Sequence, residues 1–269
     1  MAVYSHSKLS VFEECKYKYK LKYIDFVRVK TKKVIFFVVG IVVHEVLEEL
    51  YKKVLLGEEP SLFSLKSFFE KQWKKHFSAD AIDQNEKNVF PEEYYKKLAW
   101  AYIKNYFNEY KPFKQMDIIG VETKSRLRLG DGSLYDVRID KLARKDNTFF
   151  VCDYKTNISM KEQSEADSDR QLAMYASWVK QNFLEANNIV LLWHMLAFNK
   201  EVKSMRTEKD LLQVEEKVVE LIKEIELTKD FPAKKTKNCI YCDYKEICYF
   251  FGGKSKQKNI WDYSEEKII

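Results

Sequence analysis

The stretch Val151-Cys152-Asp153-Tyr154-Lys155-Thr156 decides the fold and locates its chemistry. An apolar run beginning at Phe149 ends here in a carboxylate and an ammonium group two residues apart. Because alternate residues of a strand share a face, Asp153 and Lys155 are predicted to point the same way. Burying such charges costs free energy unless they are paired or serve a function. A strand-end salt bridge and a catalytic pair both fit this stretch.

Three consecutive strands are predicted around this stretch. They cover Ile118–Leu129, Leu134–Arg144 and Thr148–Lys155. The segments that join them, Gly130-Asp131-Gly132 and Lys145-Asp146-Asn147, are typical hairpin turns. The pattern therefore predicts an antiparallel meander that ends in the stretch quoted above.

The meander would bring a second carboxylate to the first. Asp140 lies on the strand before Asp153, and two carboxylates beside a lysine suit a hard divalent cation that activates water for attack on a phosphodiester. Lys155 would orient that water or neutralise charge that develops on the phosphate. Asp136 has the same facing as Asp140 by the two-residue period, so it stays a rival ligand.

The other elements are predicted to be mainly helical. Only seven glycines and four prolines occur in 269 residues, which favours extended helices over long linkers. Apolar periodicity predicts one further strand over 189–198. It predicts helices over 5–24, 38–56, 61–112, 164–183 and 207–228. The resulting order indicates an α/β core with a helical insertion and a cysteine-bearing tail.

Composition excludes several classes of protein. A hydrophobic share of 46% with 33% charged residues is typical of a globular chain and unlike a disordered or fibrous one. No apolar stretch reaches the roughly 18–20 residues that a membrane span needs. The start of the chain lacks a charged-then-apolar signal segment. A cytoplasmic location without membrane association is expected.

Four cysteines bracket the chain. Cys239, Cys242 and Cys248 have the spacing of metal ligands, and Cys15 lies near the other end. Five cysteines in a reducing compartment disfavour disulfides and favour a metal. If Cys15 joins the other three, the centre staples the N-terminal helix to the tail. Zinc and iron–sulfur both accept four thiolates, and the spacing does not separate them.

Positive charge is concentrated at the start of the chain. Residues 1–33 contain nine Lys or Arg and three Asp or Glu, so they account for the whole net charge of +6. These lysines alternate with Tyr17, Tyr19 and Tyr23. Ammonium groups bind phosphates and rings stack on bases, so a nucleic-acid groove is one interpretation. A solvated helix face is the other.

Two residue pairs on predicted helices add candidate polar groups. His44 follows Gly40 by one helical turn on an otherwise apolar helix, where a satisfied core histidine is the commoner reading. Gln171 and Tyr175 are four residues apart, so they share a helix face. Each pair alone carries little information.

Taken in order, these motifs resemble the RecB-type branch of the PD-(D/E)XK nucleases. The residues that carry the resemblance are Gly40, His44, Asp140, Asp153-Tyr154-Lys155-Thr156, Gln171 and Tyr175. The pattern Ser7-x-Leu9-x-x-Phe12-x-x-Cys15, with the late cysteines, resembles the iron–sulfur subgroup of that branch. This subgroup includes the CRISPR-associated RecB-like exonucleases and the nuclease domain of AddB. The resemblance extends from Ser5 to Cys248.

The resemblance implies a set of site residues. It assigns a metal to His44, Asp140, Asp153 and the Tyr154 carbonyl, and it makes Lys155 catalytic, together with Asp140 and Asp153. Gln171 and Tyr175 would position the substrate or the lysine, and Glu122 corresponds to an acidic position on the first strand. Cys15, Cys239, Cys242 and Cys248 would hold a [4Fe–4S] cluster. Val137 stands where a glycine is frequent, which keeps Asp136 open as the alternative.

The resemblance also implies a fold and a function. The fold would be a restriction-endonuclease-like core, a central mixed sheet flanked by helices, in a single nuclease domain over residues 1–269. Its parts would be a basic N-terminal helix (1–37), a helical segment (38–115), the catalytic core (116–230) and the cysteine tail (231–269).

The implied activity is that of a Mg²⁺- or Mn²⁺-dependent deoxyribonuclease, an exonuclease on single-stranded DNA ends in DNA repair, recombination or CRISPR adaptation. One alternative is an endonuclease or end-trimming subunit of a larger helicase or CRISPR integrase complex. The other is a non-catalytic DNA-binding module with a cysteine cluster.

Overall fold

A computed structural model describes residues 2–29, 34–82 and 90–252 of the protein. The chain divides into two units. The first comprises Met1–His6 and Lys32–Ile222, and the second comprises Ser7–Thr31 and Lys223–Ile269. Within the described ranges, no helix combines the length and the apolar character that crossing a membrane requires.

A six-stranded mixed sheet forms the centre of the first unit. β3 pairs with β2 along one edge and with β4 and β1 along the other. β4 continues to β5, and β5 to β6. The β1–β3 and β4–β5 pairs are parallel and the others antiparallel. The strands are β1 Val3–Ser5, β2 Asp117–Arg128, β3 Leu134–Lys145, β4 Thr148–Lys155, β5 Asn188–Met195 and β6 Lys200–Ser204.

The α-helices of the described ranges are α1 His6–Glu14, α2 Lys16–Tyr23, α3 Ile35–Leu55, α4 Leu62–His76, α5 Glu92–Tyr110, α6 Gln163–Ser168, α7 Arg170–Asn182 and α8 Glu208–Leu227. α3, α4 and α5 bury one apolar core with Cys152, Tyr154 and Leu192 of the sheet. α7 packs against β2, β3, β4 and β5. The predicted fold class, a central mixed sheet flanked by helices, is confirmed.

The predicted meander is also confirmed. Gly132 adopts a φ of +87°, a conformation that favours glycine, and its N–H donates to the Leu129 carbonyl at 2.9 Å. The next turn places Asp146 at a φ of +52°. The two hairpins therefore form where the turn residues predicted them.

The prediction of one helix over residues 5–24 is wrong at Cys15. Cys15 has extended backbone, φ −160° and ψ 109°, between α1 and α2. Its sulfur accepts a hydrogen bond from the Lys18 N–H at 3.5 Å, as an N-cap side chain does. The helix therefore restarts at the residue predicted to bind the cluster.

The prediction of one helix over 164–183 is wrong at Asp169. Its backbone is extended (ψ 116°), and its carboxylate caps α7 by accepting from the Leu172 N–H at 2.7 Å. An aspartate competes with the helix for backbone donors, which explains the break.

Two further boundaries differ from the sequence prediction. The strand predicted over 189–198 ends at Met195, and β6 follows after a turn in which Asn199 has a φ of +48°. The segment 61–112 is not wholly helical, because Phe77 follows α4 in extended backbone and Pro91, also extended, precedes α5. Residues 83–89 of that segment lie outside the described ranges.

The second unit brings together segments from both ends of the chain. The Tyr17 N–H donates to the Pro232 carbonyl at 3.2 Å, and the rings of Tyr19 and Phe231 stack with centroids 6.3 Å apart. Lys16 pairs with Glu224 at 2.7 Å. These contacts join the segment around Cys15 to the segment that precedes Cys239.

A buried histidine joins α5 to the sheet in the first unit. His194 of β5 is 2% exposed, and its Nδ1 lies 3.3 Å from the Tyr110 hydroxyl. The same hydroxyl donates to Glu201 of β6 at 2.5 Å. Burial lowers the pKa of His194 from its ordinary 6.5 to about 4, since a charged ring would lose its hydration.

This histidine predicts acid sensitivity of the fold. The folded protein binds a proton on His194 less tightly than the unfolded chain does. The contribution of the neutral ring to the free energy of unfolding is therefore complete above pH 6.5 and is lost as the pH falls through about 4. The free energy of unfolding, measured with urea, is expected to fall by about 3 kcal/mol from this group between neutral pH and pH 4. His194→Gln should show a shallower pH dependence. Identical pH dependence in the variant and the wild type would refute this assignment.

Candidate metal centre

Asp140 stands where the strands around β3 diverge. Pairing of β3 with β4 ends at Lys141 opposite Cys152, and pairing with β1 is found at Asp136 opposite Ser5. Residues 137–140 thus lie between the two partners on this edge. The Asp140 carboxylate accepts the Tyr154 N–H at 2.7 Å and so replaces the missing backbone partner.

Three side chains meet at this divergence. One ligand atom each of His44, Glu122 and Asp140 lies within 4.8 Å of the others. The His44 Nδ1 is 3.4 Å from Asp140 and 3.9 Å from Glu122. Among residues 2–29, 34–82 and 90–252, this is the one group of three or more His, Cys, Asp or Glu with that spacing. An imidazole with two carboxylates is a donor set that divalent metals accept.

Glu122 reaches this group through an unusual backbone conformation. Its φ is +45°, in the left-handed region that side chains rarely adopt. The carboxylate is also held by Arg138, whose Nε donates to it at 2.5 Å. The resemblance implied Glu122 only as an acidic position on the first strand. Strand pattern alone does not reveal a residue with this φ.

The ring of His44 is oriented between two kinds of oxygen. Its Nδ1 faces the carboxylates, and its Nε2 lies 3.1 Å from the Tyr154 carbonyl. Burial lowers the pKa of His44, but the Asp140 hydrogen bond and the charges of Asp140, Asp153 and Glu122 outweigh it and raise the pKa overall. Metal-bound histidines commonly donate their second N–H to such a carbonyl. In this orientation the Tyr154 carbonyl fixes the direction of the His44 ring by accepting a hydrogen bond from Nε2.

Asp153 and Lys155 share a face, as the two-residue period predicted. The Lys155 Nζ lies 2.5 Å from the Asp153 carboxylate and 5.7 Å from the centre of the Trp193 ring. Burial raises the pKa of Asp153. Burial disfavours the ionised form of this carboxylate, and the neighbouring Lys155 ammonium favours it.

The structure places the two candidate aspartates of β3 differently. Asp136 is exposed, and its carboxylate lies 3.5 Å from Arg126. Asp140 is partly buried within the group described above. This placement favours Asp140 as the ligand.

Gln171 and Tyr175 are in contact on α7. The Gln171 amide donates to the Tyr175 hydroxyl at 2.7 Å. Burial, followed by the negative charge of Asp153, raises the pKa of Tyr175, so its phenol stays protonated. The pair therefore offers neutral polar groups whose role in positioning substrate or Lys155 stays a prediction.

A buried network of phenols lies on the other side of β4. The Tyr106 hydroxyl lies 3.1 Å from that of Tyr154 and 2.7 Å from that of Tyr51. The Lys141 Nζ donates to Tyr106 at 2.9 Å and to Tyr51 at 3.2 Å. Lys141 follows Asp140 in the chain, and the Tyr154 N–H binds the Asp140 carboxylate. The network therefore holds in place the two residues, Lys141 and Tyr154, that adjoin Asp140. Sequence reasoning missed this network, because the pattern of one strand does not show which phenols lie beside Lys141.

The four predicted cluster cysteines line one cavity of the second unit. Cys15, Cys239, Cys242 and Cys248 all contribute to its wall. Backbone N–H groups approach the sulfurs: Lys18 and Lys234 donate to Cys15 at 3.5 Å each, and Thr236 donates to Cys239 at 3.3 Å. Cys152 is separate, because it is buried in the core of the first unit and burial raises its pKa to about 12.

Comparison with known proteins agrees with the geometry. Residues 3–249 match the PD-(D/E)XK nuclease superfamily, and the chain belongs to it. Nucleases of this class depend on divalent metal ions, and the His44–Glu122–Asp140 group is a possible site for one.

Other comparisons add little. A structure described as the crystal structure of SSO0001 aligns over 87% of this chain and 94% of that one, with 18% identity and a TM-score of 0.36. A likeness at this level establishes neither function nor substrate. No curated protein matches the chain.

The phenol network predicts a specific stability difference. Tyr106→Phe removes the hydroxyl that contacts Lys141, Tyr51 and Tyr154, and it leaves a buried ammonium with one hydrogen-bond partner fewer. We expect a loss of about 1–3 kcal/mol in the free energy of unfolding, measured by urea titration.

Tyr102→Phe is the matched control. Tyr102 is buried one helical turn earlier on α5, and its hydroxyl makes no hydrogen bond with another residue of the described ranges. Its removal should change the stability by less than about 0.5 kcal/mol. Equal losses in the two variants would contradict a role for the network.

Proposed function

We propose that the protein is a deoxyribonuclease that hydrolyses DNA from single-stranded ends with Mg²⁺ or Mn²⁺. The observation that carries this proposal is the group His44, Glu122 and Asp140 beside the Asp153–Lys155 pair. Oxygen-rich sites of this kind suit those ions. The metal, when bound, supplies a water of lowered pKa and neutralises phosphate charge.

The buried carboxylates fit a bound cation. Asp140, with its side chain 10% exposed, and Glu122, with 8%, lie within 4.8 Å of each other, and the charge of Asp140 acts on Asp153. Negative groups so placed repel one another, and burial strengthens the repulsion. A divalent ion held by His44, Glu122, Asp140 and Asp153 would relieve it. The Tyr154 carbonyl is either a further ligand or the acceptor that orients His44.

Lys155 suits the role of a charge stabiliser. Burial lowers its pKa, but the Asp153 carboxylate at 2.5 Å outweighs burial and raises the pKa, so the group stays an ammonium. An ammonium ion cannot accept a proton from water. Lys155 would instead donate hydrogen bonds to the phosphate oxygen on which negative charge develops. Gln171 and Tyr175 would position the substrate or Lys155 from α7.

The preference for single-stranded ends rests on the resemblance to RecB-type exonucleases and on the basic N-terminal segment. Lys18, Lys20 and Lys22 of α2 alternate with tyrosines, which is a composition that binds single strands. The endonuclease and the subunit of a helicase or CRISPR integrase complex remain alternatives of the same class. The set of Asp140, Asp153 and Lys155 disfavours a non-catalytic DNA-binding module.

We propose a [4Fe–4S] cluster as the second cofactor, and the cysteine cavity is the observation behind this proposal. Four thiols from both ends of the chain line it, and the backbone N–H groups at Cys15 and Cys239 are donors of the kind that cluster sulfurs accept. Hydrolysis transfers no electron, so the cluster would be structural. It would staple the N-terminal helices to the C-terminal tail within the second unit.

Cleavage of end-labelled DNA tests the proposed activity. With Mg²⁺ or Mn²⁺, the wild type should shorten single strands, and Asp140→Asn or Lys155→Met should lower the rate by about 100-fold or more, because each removes a group that acts on the reacting phosphate or its metal. Asp136→Asn is the control on the same strand face and should retain the wild-type rate.

Two outcomes would decide against the proposal. Equal cleavage by the wild type and the Asp140 and Lys155 variants would exclude this site as its source. Cleavage of closed circular single strands would replace the exonuclease by the endonuclease.

Absorption spectroscopy of anaerobically purified protein tests the cluster. The wild type should be brown, and Cys15→Ala and Cys239→Ala should each lose most of the colour and destabilise the protein, since each removes a ligand. Cys152→Ala should keep the colour, because that cysteine lies in the core of the other unit. A colourless wild type with stoichiometric zinc would contradict the iron assignment.

A further inference from the structure

The solvent face of the β2–β3 hairpin carries a row of cations. Lys124, Arg126 and Arg128 on β2 and Arg138 on β3 are exposed, and the intervening Leu127, Val137 and Ile139 are buried. This alternation fixes the four cationic side chains on one face. We call these four residues the cationic ladder.

The strand register places the ladder next to the metal centre. Lys124 pairs with Arg138, and Arg126 pairs with Asp136. The pairs Val121–Lys141 and Thr123–Ile139 flank Glu122 and Asp140. Each carboxylate therefore lies two residues along its strand from a ladder cation, Glu122 from Lys124 and Asp140 from Arg138. Arg138 contacts Glu122 directly at 2.5 Å. The ladder therefore begins at the group that would hold the metal.

The spacing of the ladder suits a phosphate chain. Residues on the same face of a strand are about 6.7 Å apart, so Lys124, Arg126 and Arg128 extend about 20 Å from Glu122. Successive cations at such intervals can each contact a phosphate of one extended strand, and such contacts release counterions.

Two of the four cations of the ladder lack a carboxylate partner among the described residues. Asp136 lies among the cations, and Glu122 and Asp140 adjoin one end of the ladder. Arg126 lies 3.5 Å from Asp136 and Arg138 binds Glu122, whereas no salt bridge within the described ranges involves Lys124 or Arg128. Lys124 and Arg128 therefore have charges that an anionic partner could neutralise.

We infer that the cationic ladder binds the phosphate backbone of the DNA strand whose scissile phosphate lies at the metal centre. This inference rests on the proposed function and adds the path of the substrate on one side of the cut. The partner is a single strand, because consecutive contacts on one narrow ribbon follow one backbone.

Edge protection is the competing explanation. Within the described chain β2 pairs only with β3, and charged residues on an edge strand prevent pairing with other molecules. In that case loss of the charges would cause association of the protein without a change in DNA binding. The two explanations therefore differ in what they predict for salt dependence.

The salt dependence of DNA binding tests the inference. A labelled single-stranded oligonucleotide is titrated in EDTA, which stops cleavage, and fluorescence anisotropy gives the affinity from about 50 to 200 mM salt. Lys124→Gln/Arg126→Gln/Arg128→Gln should weaken binding and lower the slope of log affinity against log salt by about 2, from roughly 0.7 for each lost phosphate contact.

A triple variant with the same change of net charge is the control. Lys71→Gln/Lys74→Gln/Lys104→Gln alters exposed residues of α4 and α5 and should keep the wild-type slope. The single variant Arg126→Gln, with an expected slope change of about 0.7, serves if the ladder triple fails to fold.

The outcomes separate the inference from the proposed function. A wild-type slope in the ladder variants, with or without self-association in light scattering, overturns the inference even if the wild type cleaves DNA. An equal loss of slope in the control also overturns it, because the effect would then follow net charge. Absence of wild-type cleavage with Mg²⁺ or Mn²⁺ rejects the proposed function whatever the slopes are.

Discussion

The hydrogen bond from the Tyr154 N–H to the Asp140 carboxylate, 2.7 Å long, is the contact on which the centre depends. It stands where β3 and β4 cease to pair, so a side chain takes over from the backbone ladder. It fixes Asp140 and turns the Tyr154 carbonyl toward His44, at 3.1 Å. The position of the His44–Glu122–Asp140 group thus follows from the place at which two strands separate.

Buried charge explains why the surroundings of this centre are built as they are. Glu122 and Asp153 have side chains 8% exposed, and each has one close cation, Arg138 and Lys155 respectively. On the other face of β4, phenol hydroxyls surround Lys141 without a carboxylate partner among its hydrogen bonds. Polar contacts therefore offset desolvation on both faces of the strand. These contacts hold Asp140, Glu122 and Asp153 in place.

The sequence predicted much of this, and the misses have physical reasons. Period-two alternation and turn residues predicted β2, β3 and β4. The four cysteines that the sequence singles out line one cavity. The sequence pattern places Cys15 and Asp169 inside helices, although each caps the next helix through its own side chain. Glu122 lies beside Asp140 with a positive φ, a conformation that strand periodicity does not encode. The contact of Lys141 with tyrosines from α3 and α5 is a tertiary feature that one strand cannot reveal.

Binding of Mn²⁺ tests the central claim most directly, since it requires neither DNA nor cleavage. Electron paramagnetic resonance titration of free Mn²⁺ should show one tight site in the wild type. Glu122→Gln should weaken it by about 10-fold or more, because a ligand carboxylate becomes a neutral amide, and Asp136→Asn should leave it unchanged. Equal Mn²⁺ affinity of Glu122→Gln and the wild type would contradict the placement of the metal between His44, Glu122 and Asp140.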